Sequence, residues 1–181
     1  LKVSNVSISS NAAGTGSLVG KNGGTVYNCS STGTITSTAN TTGGLVGQNY
    51  PKPAKIQASY SNCSVYSDKD QTGGLVGLNQ QKILDSYAKE IIQGNTKVGG
   101  LAGSLSYSNG YWFTRNYSNS TVAAIGSSVG VITGNGSAGS VSTFGTTGIN
   151  TAIPIFTTSG GTGTVSTMQM PKASLDYLLD T

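Results

Sequence analysis

Gly43-Gly44-Leu45-Val46-Gly47-Gln48-Asn49 returns along the chain with few changes. It reappears as Gly16-Ser17-Leu18-Val19-Gly20-Lys21-Asn22, as Gly73-Gly74-Leu75-Val76-Gly77-Leu78-Asn79 and as Gly99-Gly100-Leu101-Ala102-Gly103. A worn fifth copy reads Gly130-Val131-Ile132-Thr133-Gly134-Asn135. The first glycines of successive copies lie 27, 30, 26 and 31 residues apart. Self-similarity at such a period is the mark of a repeat architecture, in which one small unit recurs and stacks.

Each copy carries a second half. Beyond the glycine motif stands an apolar residue: Val26, Ile56, Ile83 or Phe113. Three positions later comes a small or polar one, Cys29, Ser59, Ser86 or Asn116, followed at once by Ser30, Tyr60, Tyr87 or Tyr117. Six residues after the small position stand Ile35, Val65, Ile92 and Val122. Length varies between the halves, where Tyr50-Pro51-Lys52-Pro53 and Ser106-Tyr107-Ser108-Asn109-Gly110 read as surface loops.

One repeat has too few apolar side chains to close a core by itself. Stacking lets Leu18, Leu45, Leu75 and Leu101 form an interior ladder, and Val26, Ile56, Ile83 and Phe113 another. Glycines around each Leu-Val pair allow a corner, through positive φ or close backbone approach. Asn22, Asn49 and Asn79 follow the corner, where Asn tolerates left-handed geometry and can bond to its neighbours along the axis. The reading is all-β: a parallel β-helix, or β-solenoid, of four to five coils of 26–31 residues with three short sides. Residues 1–150 hold the repeats. Residues 151–181 read as further strands with a short helix over Pro171-Lys172-Ala173-Ser174-Leu175-Asp176-Tyr177-Leu178-Leu179, as an end cap or a linker.

Composition narrows the function. Gly, Ser, Thr and Asn supply half of the 181 residues, and only 9% are charged. With no His, a His-ligated zinc site or a Ser-His-Asp triad is excluded. The net charge of +4 rests on lysines scattered along the chain and a single arginine, which argues against nucleic acid as partner. No apolar run approaches the roughly 20 residues of a membrane span. Leu1-Lys2-Val3-Ser4-Asn5 already alternates like a strand, so the chain reads as part of a longer, exported polypeptide.

The G-G-L-V-G-x-N core followed by I-x-x-[CS]-[YS] resembles the GLUG repeat, over roughly residues 14 to 122 and more faintly to about 150. Gly43, Gly44, Leu45, Gly47 and Asn49 carry it, as do Gly73, Gly74, Leu75, Gly77 and Asn79, and Gly99, Gly100, Leu101 and Gly103. The stretch 160–170, ending in a Gln-Met pair, is similar to the segment that often follows such arrays. Departures are Ser17 for Gly, Ala102 for Val, and Ser104-Leu105 in place of the Asn. The resemblance implies a large bacterial surface or secreted protein, such as a filamentous-haemagglutinin-like adhesin or the non-catalytic region of an IgA-cleaving peptidase.

Candidate chemistry is sparse. Asp68-Lys69-Asp70 is the one tight acidic pair and reads as a solvated turn, not as a glycosidase pair or Ca²⁺ site. Two readings of Cys29 and Cys63 stay open: a disulfide between neighbouring coils, or two small buried thiols. Neither spacing is a metal or redox motif, and no cofactor is called for. Tyr60, Tyr87 and Tyr117 share one repeat position, as core if they face inward and as a platform for sugar rings if outward. Tyr107, Tyr111 and Trp112 sit in the longest insertion, where a loop can leave the stack and meet a ligand. Thr32-Gly33-Thr34-Ile35-Thr36 alternates like an ice-binding face, but the array does not recur in the next coils. The expectation is a non-catalytic stalk or adhesion surface outside the cell, meeting a host glycan or a surface or matrix protein. The alternatives are an accessory region of a secreted peptidase and, more remotely, a β-helix carbohydrase.

Overall fold

The computed structural model describes residues 1–106, 113–125, 129–130, 133–136 and 142–145. The chain first forms β1 (Lys2–Ser10), β2 (Val19–Asn22), β3 (Thr25–Tyr27) and β4 (Ser30–Ser37). Then come β5 (Thr42–Gly43), β6 (Val46–Asn49), β7 (Lys55–Gln57) and β8 (Tyr60–Ser67). The next turn repeats them as β9 (Thr72–Gly73), β10 (Val76–Asn79), β11 (Lys82–Leu84) and β12 (Tyr87–Gly94). After β13 (Val98–Gly99) and β14 (Ala102–Leu105), the third and fourth segments fuse in β15 (Phe113–Ala124). β16 (Val129–Gly130), β17 (Thr133–Gly136) and β18 (Ser142–Gly145) come last.

Like segments pair coil to coil, always in parallel. The long strands stack in the order β1-β4-β8-β12-β15, the three-residue strands as β3-β7-β11-β15, the four-residue strands as β2-β6-β10-β14-β17 and the two-residue strands as β5-β9-β13-β16. This is a parallel β-solenoid of about four turns, all strand among the described residues. The expected capping helix at 171–179 lies outside them.

The interior is built from the expected ladders. Val26, Ile56, Ile83 and Phe113 are mutual backbone partners, as are Ile35, Val65, Ile92 and Val122. Leu45, Leu75, Leu101, Ile56 and Ile83 are fully buried in one cluster, and Ile35, Val65 and Ile92 in a second beneath the long strands. Burying each such side chain contributes about 2 kcal/mol. The corner at Leu-Val is held by a shared acceptor. The Leu75 carbonyl takes bonds from both Leu45 N–H and Val46 N–H at 3.0 Å, and Leu101 receives Leu75 and Val76 in the same way.

At the corners the second of the two glycine readings holds, and the left-handed geometry expected of the asparagines is corrected. The glycines of the motif do not have positive φ; they serve close approach instead. A methyl at Gly77 would overlap the backbone of Thr41 and Thr42, which runs past it on the neighbouring side of the coil. Left-handed geometry falls on other residues. Asn28, Ala58, Asp85 and Arg115 have φ of 49°, 48°, 52° and 51°, one column just before the Cys29 position. Thr41, Gln71 and Lys97 form a second such column before the two-residue strands. Each costs about 1 kcal/mol for a residue with a Cβ. The first column is held by the residue next in the chain: Cys29 N–H donates to Ser59 Oγ, Ser59 N–H to Ser86 Oγ and Ser86 N–H to Asn116 Oδ1. Ser59 and Ser86 hydroxyls in turn donate to Gln57 and Leu84 carbonyls.

Asn22, Asn49 and Asn79 are extended and buried, and bond to one another along the axis. Asn22 Nδ2 donates to Asn49 Oδ1 at 2.8 Å and Asn49 Nδ2 to Asn79 Oδ1 at 2.6 Å. Asn49 Nδ2 also reaches the Lys82 carbonyl at 3.3 Å. The fourth rung is Leu105, and there Asn79 Nδ2 turns to the Gln81 carbonyl. Asn49→Ala removes one partner from each neighbour and one from the Lys82 carbonyl, although Asn22 Nδ2 keeps the Lys55 carbonyl and Asn79 Oδ1 keeps the Gln81 N–H. A hydrogen bond contributes about 1 kcal/mol net, and an unmet buried group costs about 1–3 kcal/mol, so we expect a loss of about 2 kcal/mol in urea unfolding. A variant melting with the parent would show that the ladder contributes nothing.

Candidate functional site

Of the proposed binding residues, Tyr107, Tyr111 and Trp112 lie outside the described residues. Their segment connects β14 to β15, the same corner at which residues 50–54 connect β6 to β7.

The tyrosine column is described, and it faces outward. Ser61, Cys63 and Val65 are buried, the last two in the interior cluster. Alternation along β8 therefore puts Tyr60 on the outer face, and Ala88 in the core does the same for Tyr87. Ser30, Tyr60, Tyr87 and Tyr117 succeed one another in register. Tyr60 and Tyr87 rings stack with centroids 4.7 Å apart and planes 8° from parallel. The column is nonetheless largely covered: Tyr87 is 3% exposed and Tyr117 7%, while Tyr60 keeps a partly open ring. Burial pushes the Tyr87 phenol well above its ordinary value; the Tyr60 phenol adds to the rise and a hydrogen bond with Asn62 opposes it. The Asn62 amide oxygen is buried beside them without a hydrogen-bond partner. An outward column this closed is a packing feature more than an open sugar platform.

Among the described residues, Asp68, Asp70 and Asp85 each have a neighbour of their own. Arg115 grips Asp85 through Nε and, at 2.8 Å, through Nη2, and the bond to Asp85 raises the guanidinium further above its ordinary value. Asp68 sits 3.9 Å from Lys69 at an exposed turn, and Asp70 accepts a bond from Asn95. Among the described residues, no three acidic or sulfur side chains gather as metal ligands would.

The disulfide reading is corrected. Cys29 and Cys63 are free. Cys63 is buried under the long strands and donates to Ser31 Oγ, whereas Cys29 packs against the other cluster and donates to the Tyr27 carbonyl. The backbone partner of Cys63 is Gly33, four residues away from Cys29, so the thiols have separate neighbourhoods. The reading of two buried thiols holds for Cys63 alone, since Cys29 is only half-buried. On the outer face, Thr32, Thr34 and Thr36 stand beside Asn62, Ser64 and Tyr66, so the threonine array ends after one coil.

Stacking also brings together residues that a linear reading leaves apart. Lys21, the Lys52/Lys55 pair and Lys82, about 30 residues apart in turn, come to one corner of the coils. Their signal lies only in the repeat register, which sets Lys55 and Lys82 at equivalent positions.

The family model of the GLUG motif matches residues 11–36. The chain carries the GLUG repeat. The match spans the Leu18 corner, the Asn22 rung and the Ile35 rung. Strand register carries these GLUG positions onward: Val19 to Val46, Val76 and Ala102, and Asn22 to Asn49, Asn79 and Leu105. Ser17, the departure from glycine in the matched copy, donates its hydroxyl to the Gly44 carbonyl. No curated protein and no solved structure is significantly similar to the chain.

Proposed function

We propose that this GLUG-repeat chain is a non-catalytic module of a bacterial surface or secreted protein, extending outward and presenting an adhesion surface. Its partner in this reading is a host glycan or a surface or matrix protein. One observation supports it above others: every side of the coil pairs in parallel with the next, so the molecule is a stack whose outer faces are regular. A rod of that kind holds side chains at fixed spacing, as a binding surface requires.

The test is binding of the 181-residue chain to a panel of glycans and matrix proteins, beside a Tyr111→Ala/Trp112→Ala variant. Saturable binding to a panel member supports adhesion. Its loss in the variant puts the contact on the insertion, and its retention puts the contact on a regular face. No binding across the panel overturns adhesion and leaves a spacer.

A further inference from the structure

We propose that the corner bearing Lys21, Lys55 and Lys82 is a docking face for an anionic polysaccharide, one carrying uronate or sulfate groups. This names a ligand class for the adhesion reading and rests on it.

The face arises from the ladder. Val26, Ile56 and Ile83 point inward, so their neighbours Thr25, Lys55 and Lys82 point out, in register on successive strands. Parallel strands run about 4.8 Å apart. Lys55 and Lys82 are thus like charges directly opposite, an arrangement that weakens a sheet. Among the described residues no carboxylate pairs with Lys21, Lys55 or Lys82: Asp85 is held by Arg115, and Asp68 lies beside Lys69. Lys52 and Gln81 join Lys55, Lys82 and Thr25 around one groove. Lys21 Nζ lies 4.4 Å from the centre of the Tyr50 ring, at the start of the loop that forms the groove wall. The ammonium groups of Lys21, Lys55 and Lys82 have no carboxylate partner among the described residues, and a polyanion laid along the axis would supply one.

Three features favour a polysaccharide over an acidic peptide. Tyr27 is 61% exposed, two residues along from Thr25 and on the same outward side, so its ring is open to a sugar. Gln57 is the partner of Tyr27 on the next strand, and Thr25 and Gln81 offer hydroxyl and amide groups in the groove. The cations are lysines, mobile point charges that meet dispersed sulfate or carboxylate groups without the fixed fork of arginine.

The test uses immobilised heparin and soluble polygalacturonate, with dextran as neutral polymer and poly-glutamate as acidic peptide. Lys55→Gln/Lys82→Gln is compared with Lys69→Gln/Lys89→Gln, which removes equal charge elsewhere; circular dichroism melts verify folding. The parent should bind heparin or polygalacturonate in a salt-dependent way. Lys55→Gln/Lys82→Gln should weaken that by about tenfold or more, with the control pair within about twofold. Tyr27→Ala should weaken binding with the salt dependence unchanged. The proposal is overturned by equal losses in both double variants, by poly-glutamate binding as well as the polysaccharides, or by a parent that binds neither. If the parent ignores both anionic polymers yet binds a neutral glycan or matrix protein, only this proposal falls. If it binds nothing, the adhesion reading falls with it.

Discussion

Gly74→Ala is expected to cost about 3 kcal/mol or more, at the upper end of what overpacking does. The added methyl would overlap the Gly100 carbonyl oxygen of the next coil and crowd Ala88 Cβ across the interior. Neither neighbour is free to retreat. Gly100 O accepts the Ser120 hydroxyl at 3.1 Å, and Gly74 N–H is bonded to Gly99 O. The φ of Gly74 is not positive, so the penalty is spatial and an alanine could adopt the backbone itself. Gly24→Ala is the control: a methyl there meets nothing within 4 Å, and surface changes of that kind stay within about 0.5 kcal/mol. Urea unfolding followed by circular dichroism separates the two. Equal midpoints would show that the coils can part at this corner without cost.

Leu75→Ala should cost about 2–5 kcal/mol, the range for truncating a fully buried leucine whose site cannot collapse. Collapse is hindered because its carbonyl holds Leu45 and Val46, and its own N–H is held by Leu101 at 2.8 Å. The backbone is pinned from both sides while the side chain shrinks. In a stacked repeat, stability is close to a sum of coil and interface contributions. Truncation in a middle coil weakens two interfaces, so unfolding should broaden or split into two steps. Leu18→Ala, at a partly buried end of the same ladder, should lower the midpoint less and leave one transition. A sharp single transition for Leu75→Ala at the parental midpoint would contradict the ladder as the source of cohesion.

How much of this is readable from sequence varies with the kind of information each position carries. The apolar rungs at Ile56 and Val65 are legible because burial demands a residue type, and that demand recurs at constant spacing. The Asn22–Asn49–Asn79 bonds are legible for the same reason, though their backbone is not, since asparagine suits both a left-handed turn and a buried ladder. The left-handed columns are opaque. Ala58, Gln71 and Arg115 carry no preference for positive φ; after Ala58 the next N–H is held by a serine hydroxyl of the adjacent coil, and after Gln71 by the backbone carbonyl of Lys97. The lysine corner is hidden because its members belong to different coils, and counting them along the chain makes them look dispersed. The tyrosine column is evident as a row, but whether a row is open or covered depends on what packs over it.

Of the corners in each coil, one takes up most of the difference in repeat length: the connection between the four-residue strand and the strand after it. It has two residues between β2 and β3, five between β6 and β7, two again between β10 and β11, and seven between β14 and β15. Smaller adjustments fall elsewhere: the connection after the long strand has four residues after β4 and β8 and three after β12, and β1 absorbs an extra residue between Val3 and Val6 before its register resumes. Lineages that inherit such a rod can therefore experiment mostly along a single edge. Sequence there can drift, lengthen and acquire charge while the remaining edges change less, much as a spine keeps its alignment while what hangs from it is exchanged.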